Sequence, residues 1–260
     1  MNNKLLSPQR LGALLRHDIV AQKKTILSGG GAIAGAVIVL TLLASAIEGD
    51  ASTTGFHSTL FSNILFIGGY ITTSLVFADL HKSSEGIRYL MIPGSTLEKL
   101  IARLVITSVG YTVFVGIVYT AASAIGAGLG QLIFSGSPGV FLHNSAAVWE
   151  AIGQYLVTQS AFLFGSIYFK KSAFLKTVLT FGAVGFGLGI VYLLTTRVLF
   201  APAFTGFLTI TGTLEDYFPD PRGLQRIAEV IGSLEDVMVY VVGPLFFWIV
   251  SYLRLRETEV

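Results

Sequence analysis

The chain has 260 residues, 53% hydrophobic and only 12% charged, with a formal net charge of +2 and a mean hydropathy of +0.73. Soluble globular domains carry roughly 25% charged residues. This composition excludes a disordered chain, which needs low hydrophobicity and high net charge, and all but excludes a soluble enzyme. A single all-α, polytopic membrane domain over residues 1–260 fits, and the absence of Cys removes disulfides, thiolate metal sites and Cys nucleophiles.

The first 28 residues precede any span. They lack the apolar core of a cleavable signal peptide. Ser7 is placed to cap a helix, and Pro8 suits its first turn. Leu11, Leu14, Leu15 and Ile19 then share one face, with Arg10, His17 and Lys24 elsewhere. A basic amphipathic helix of this kind lies in the headgroup region of membrane lipids. The alternative is an ordinary solvated helix ahead of the first span.

A helix needs about 20 apolar residues to cross a bilayer core. Six stretches qualify: Gly29–Ile47, Leu60–Ala78, Leu104–Ile125, Ala151–Phe169, Thr177–Thr196 and Val237–Leu253. The fourth is the most polar, since it carries Gln154, Thr158, Gln159 and Ser160. The pairs Gly31/Gly35, Gly126/Gly130 and Gly185/Gly189 are spaced for close helix packing. Pro244 is expected to bend the last span.

Lys and Arg alternate between the connecting segments. Lys4, Arg10, Arg16, Lys23 and Lys24 precede the first span; Lys82, Arg88, Lys99 and Arg103 follow the second; Lys170, Lys171 and Lys176 follow the fourth; Arg254 and Arg256 end the chain. The first and third loops have none, and the fifth has Arg197, Arg222 and Arg226 among six acids. The positive-inside rule puts both termini in the cytoplasm. No acid, Lys, Arg or His falls near the centre of a span, which argues against a proton-coupled transporter, an ion pump or a voltage sensor. Glu150 and Asp79 come nearest, and interfacial charges are the simpler reading of both.

No reaction centre is visible. Gly94-Ser95 and Gly165-Ser166 have no His in another span to act as base. His17, His57, His81 and His143 are all expected outside the core and are not spaced for a shared metal. The chain has no phosphate-loop motif. Neither a cofactor, a metal nor a nucleic-acid partner is expected.

Two loops carry information. In the cytoplasmic segment 79–103, Pro93-Gly94 marks a turn, and Ser95-x-x-Glu98 is a capping box opening a helix whose Leu97, Leu100, Ile101 and Leu104 form an apolar face. This is a capped start to the third span and a candidate docking element for a soluble partner. The extracytoplasmic segment 197–236 is too long for a minimal connection. In it Leu224, Ile227, Ala228, Ile231 and Leu234 have helical spacing, and the run from Glu215 to Pro221 reads as a solvated acidic turn.

The stretch RLGALLRHDIVAQKKTIL resembles the interfacial elbow helix of bacterial ABC transporter permeases of the ABC-2 type. RYLMIPGSTLEKLIARLVITSVGY resembles that family's loop after the second span, and the ending from Trp248 through Tyr252 to Arg256 is similar to many permease C-termini. The resemblance implies a six-span permease subunit of an exporter in the bacterial inner membrane. Its partners would be a cytoplasmic ABC ATPase subunit and a second permease chain, identical or not. It also implies that Pro93, Gly94, Ser95, Thr96, Leu97, Glu98 and Lys99 lie in or beside the coupling helix that meets the ATPase. An amphipathic or lipid-like substrate would suit the mild polar groups of the spans, such as Tyr70, Thr73, Tyr111, Thr158 and Gln159. The rival reading is a membrane scaffold or assembly factor that needs no ATPase.

Overall fold

The computed structural model describes residues 6–48, 53–81, 89, 91–134, 141, 145–199, 229–230 and 232–259. Among them there is no strand. In chain order, α1 is Pro8–Ala21, α2 Lys23–Glu48 and α3 Thr53–Leu75, followed by a 3-10 turn at Ala78–His81. Next, α4 (Thr96–Val105) passes through a π turn, Ile106–Gly110, into α5 (Tyr111–Phe134). Then come α6 (Ala146–Tyr168) and α7 (Ala173–Leu199), and a second π turn at Met238–Val242 leads into α8 (Gly243–Glu259). Most of the 197–236 segment, including the run from Glu215 to Pro221 and Leu224, Ile227, Ala228 and Ile231, lies outside the described residues, as does His143.

Among the described residues, five helices are long and apolar enough to cross a membrane: Lys23–Ile47, Gly55–His81, Thr96–Phe134, Ala173–Val198 and Gly232–Thr258. The expected fourth span corresponds to α6, which is a 23-residue helix but not one of these five. The reason lies in where its side chains go. Helices α3, α7 and α8 all pack on α6, and Gln159 and Ser160 are fully buried in it. A helix enclosed by other helices has less need of an apolar surface than one facing lipid.

Among the described residues the interior has two apolar clusters. One joins Val37 of α2, Phe61 and Leu65 of α3, Val115 and Tyr119 of α5, and Tyr155 of α6. The other gathers Val76, Phe77, Leu100, Leu163, Ile167 and Leu255 at the end of the molecule where α1 and α4 sit. Several polar groups between the helices are bonded to backbone. The hydroxyls of Tyr111, Tyr119 and Tyr155 donate to the carbonyls of Ile64, His57 and Thr107 at 3.1, 3.1 and 2.6 Å. Gln159 Nε2 donates to Thr107 Oγ1 at 2.7 Å, and that hydroxyl donates on to Arg103 O at 2.9 Å. Thr107 lies in the first π turn, where the ordinary i to i−4 ladder is interrupted and such side-chain partners are available. The second π turn ends at Val242, just before Pro244, where the wider turn accommodates a ring that clashes with a regular helix. His57 is among these bonded groups. It is buried near the start of α3, with Nδ1 3.0 Å from Tyr119 Oη.

Close helix approach uses one of the three spaced pairs and some glycines outside them. Gly31, Gly35, Gly185 and Gly189 face open space, whereas Gly126 meets Thr41 and Gly30 meets Phe114. At Gly69 an added Cβ would overlap the Tyr155 ring, which is fully buried. Gly69→Val is therefore expected to destabilise the protein by about 2 kcal/mol, as overpacking of a filled core does. Gly31→Ala is expected to be neutral. Thermal unfolding of the two variants in the same detergent checks the contrast, and equal melting temperatures would contradict this account of α3 on α6.

Candidate functional site

The site is built where the N-terminal helix meets the capped helix. The sequence around residue 95 dictates a helix start, and both halves of the capping box form. Ser95 Oγ accepts from the Glu98 N–H at 3.2 Å, and Glu98 Oε2 accepts from the Ser95 N–H at 3.0 Å. Pro93 is exposed, and Gly94 sits so close under α1 that a Cβ there would lie 3.3 Å from Leu14 Cδ1. Thr96 opens α4, Leu97 and Ile101 are half-buried, and Leu100 is buried.

Glu98 does more than cap. Its other oxygen, Oε1, accepts from the Ser7 N–H at 2.7 Å and pairs with Arg10 Nη2 at 3.1 Å. The side chain has no exposed surface, although its Arg10 partner is 44% exposed. Burial works against the charge. The backbone donors of Ser95 and Ser7 and the Arg10 guanidinium outweigh it, and they hold the carboxyl below its ordinary value. Ser7 occupies the N-cap position of α1 and Pro8 follows it, as expected. The Ser7 hydroxyl makes no capping bond; its backbone N–H is the group that is used.

A second pair holds the far end of α1. Asp18 and Arg103 are each 7% exposed, with Oδ2 and Nε 3.0 Å apart. Arg103 Nη1 also donates to the Val76 carbonyl at 3.1 Å, so one guanidinium ties α1, α4 and the end of α3 together. Lys99 is buried as well, with Nζ 4.9 Å from the centre of the Tyr89 ring. Of the expected lipid-facing residues of α1, Leu14 is buried against protein, Leu11 and Leu15 are half-buried, and Ile19 is 50% exposed. The face they share is thus turned mainly onto α4, and Ile19 with its neighbour Val20 remains open.

The chain matches no family model, no curated protein and no solved structure. Its function has to be argued from this geometry. Residues Thr96–Phe134 form one continuous helix of 39 residues. At 1.5 Å per residue that is about 58 Å, against a hydrocarbon core of about 30 Å. A rod of this length, if it crosses, extends beyond that core, and its charged residues Glu98, Lys99 and Arg103 all lie in α4. α4 continues into α5 through the π turn with no non-helical residue between them. The capping box was legible in the sequence, but the ties from Glu98 to Arg10 and from Arg103 to Asp18 were not. They join residues about 85 positions apart, and no local spacing encodes them.

Proposed function

We propose that the chain is the permease subunit of an ATP-driven exporter of the ABC-2 type in the bacterial inner membrane. In this reading it has six spans, with α6 crossing as an enclosed helix, and both termini on the cytoplasmic side. A second permease chain completes the pathway, and a separate ATPase docks at the loop that precedes α4. The observation that supports this most is the clamped lever. A short capped helix, tied to α1 by buried charges, runs without interruption into a long spanning helix. ATP-driven movement at the loop would swing α1, α4 and α5 as one piece and so change access between the two permease chains.

In this reading the exposed residues of the loop are the ones a partner touches. Glu98 and Lys99 are turned into the chain, whereas Met91 is 77% exposed and Pro93 is exposed beside it. The docking contact is therefore assigned to the Met91–Pro93 tip, and the Ser95–Lys99 stretch transmits the movement. Mild-detergent affinity purification of the full chain is expected to recover a soluble partner of about 25–35 kDa, a single-domain size, bearing a phosphate-loop motif. Met91→Asp is expected to lower its recovery at least fivefold with membrane insertion unchanged. Recovery of membrane proteins alone, under conditions that keep a known transporter intact, would replace the permease reading with the scaffold.

A further inference from the structure

The open edge between α3 and α6 holds a groove of about 310 Å³, a size that suits a small organic ligand. Its walls include Ser58, Ser62, Asn63 and Phe66 from α3, and Glu150 and Gln154 from α6. Among the described residues, Glu150 is the one charged residue in the lining, and no Lys, Arg or His accompanies it. The Glu150 carboxylate is exposed, and Oε1 accepts a bond from Gln154 Nε2 at 3.3 Å. One turn further along the two helices, Tyr70 Oη and Thr158 Oγ1 share a hydrogen bond of 2.6 Å, and the Tyr70 ring stacks on Phe162 at 4.3 Å.

The polarity changes along the helix. Thr59 and Asn63 are exposed beside the groove, and the next residues on that ridge, Ile67 and Ile71, are 60% and 40% exposed. Trp149, 63% exposed next to Glu150, is a residue type that favours the membrane–water interface. A carboxylate, hydroxyl and amide oxygens and an aromatic ring together recognise an organic cation. One carboxylate does not make the oxygen cage that a divalent metal requires, and an anion would be repelled. The apolar ridge beneath has room for a hydrocarbon tail.

We propose that this groove binds the ammonium headgroup of an amphiphile, with Glu150 as its counter-charge and the tail lying along Ile67 and Ile71. That the ligand is cargo rests on the permease reading; that it binds does not. The test uses the full chain in phosphatidylglycerol nanodiscs, titrated calorimetrically with dodecylammonium below its micellar concentration. Saturable binding is expected, weakened at least tenfold by Glu150→Gln. Nonspecific attraction to the lipid is the same for both proteins and cancels. Glu150 is exposed, so the variant is expected to keep the wild-type gel-filtration profile and melting temperature. Ser62→Leu, which narrows the groove without altering charge, is expected to weaken binding as well. Equal affinity of the wild type and Glu150→Gln, or equal affinity for dodecylammonium and uncharged dodecanol, overturns the proposal. Adding phosphatidylethanolamine to the discs separates the two sources of an ammonium group. Competition identifies a bilayer lipid as the ligand, and Glu150-dependent binding without competition identifies a free amphiphile. No ATPase is present, so loss of ATPase co-purification with binding intact removes the permease reading alone, and the converse removes the groove alone.

Discussion

Asp18→Ala is expected to destabilise the protein by about 3 kcal/mol, because it leaves the Arg103 guanidinium buried without its counter-charge. The Val76 carbonyl would be its remaining protein acceptor. Breaking a buried pair from one side costs about 3–5 kcal/mol. The lower figure applies because α1 can lift and admit water. The informative comparison is the double variant Asp18→Leu with Arg103→Met. Replacing both ions by apolar groups removes their desolvation together with their attraction, and it is expected to return the protein to within about 1 kcal/mol of wild type. Chemical unfolding in micelles gives both values. A double variant as unstable as Asp18→Ala would show that the pair is not an isolated electrostatic unit.

Glu98→Ala is expected to cost about 2 kcal/mol, the scale of hydrogen bonds made to a charged group. The Arg10 contact adds little, because that guanidinium is 44% exposed and water screens it. The loss is local and falls on α1, so limited proteolysis near Gln22 reads it more directly than global unfolding. The same carboxylate sets a pH dependence. Its pKa in the folded protein lies below the ordinary 4.5, which burial opposes and the Ser95, Ser7 and Arg10 contacts enforce. Its contribution is therefore complete above pH 4.5 and is lost as the pH falls through the depressed folded value. The wild type is expected to lose protection of α1 below pH 4.5. Glu98→Gln is expected to be looser already at pH 7 and to lack that component of the acid response. Identical acid profiles for the two proteins would remove Glu98 from the clamp.

The parts of this molecule that depend on local pattern were readable in the sequence. Five of the six expected spans coincide with helices long and apolar enough to cross, and Pro93-Gly94-Ser95 opens a helix where its turn and cap residues require one. α6 falls outside that set, and its polar residues divide by direction. Gln159 and Ser160 are polar residues spent inside the protein, whereas Glu150, Gln154 and Thr158 recur every fourth residue on one exposed edge. That four-residue spacing was present in the sequence and is the signal that could have located the groove. The amphipathic character of α1 was also legible, but not its partner. A stripe of leucines reads the same whether it faces lipid or a neighbouring helix, and here Leu14 faces Gly94.

The π turn at Ile106–Gly110 gives the long rod a further property. One such turn holds an extra residue, and one residue of an α-helix corresponds to a rotation of about 100°. The two halves of Thr96–Phe134 are therefore out of phase, like two crankpins set at an angle on one shaft. The half before the turn presents its buried face to α1 and α8, and the half after it presents a different azimuth to α2 and α3. Closing that turn to a regular helix would rotate one set of contacts against the other without bending the shaft. Torsion as well as tilt would be open to such a helix, and Thr107, whose carbonyl accepts from Tyr155 and whose hydroxyl accepts from Gln159, ties the turn to α6.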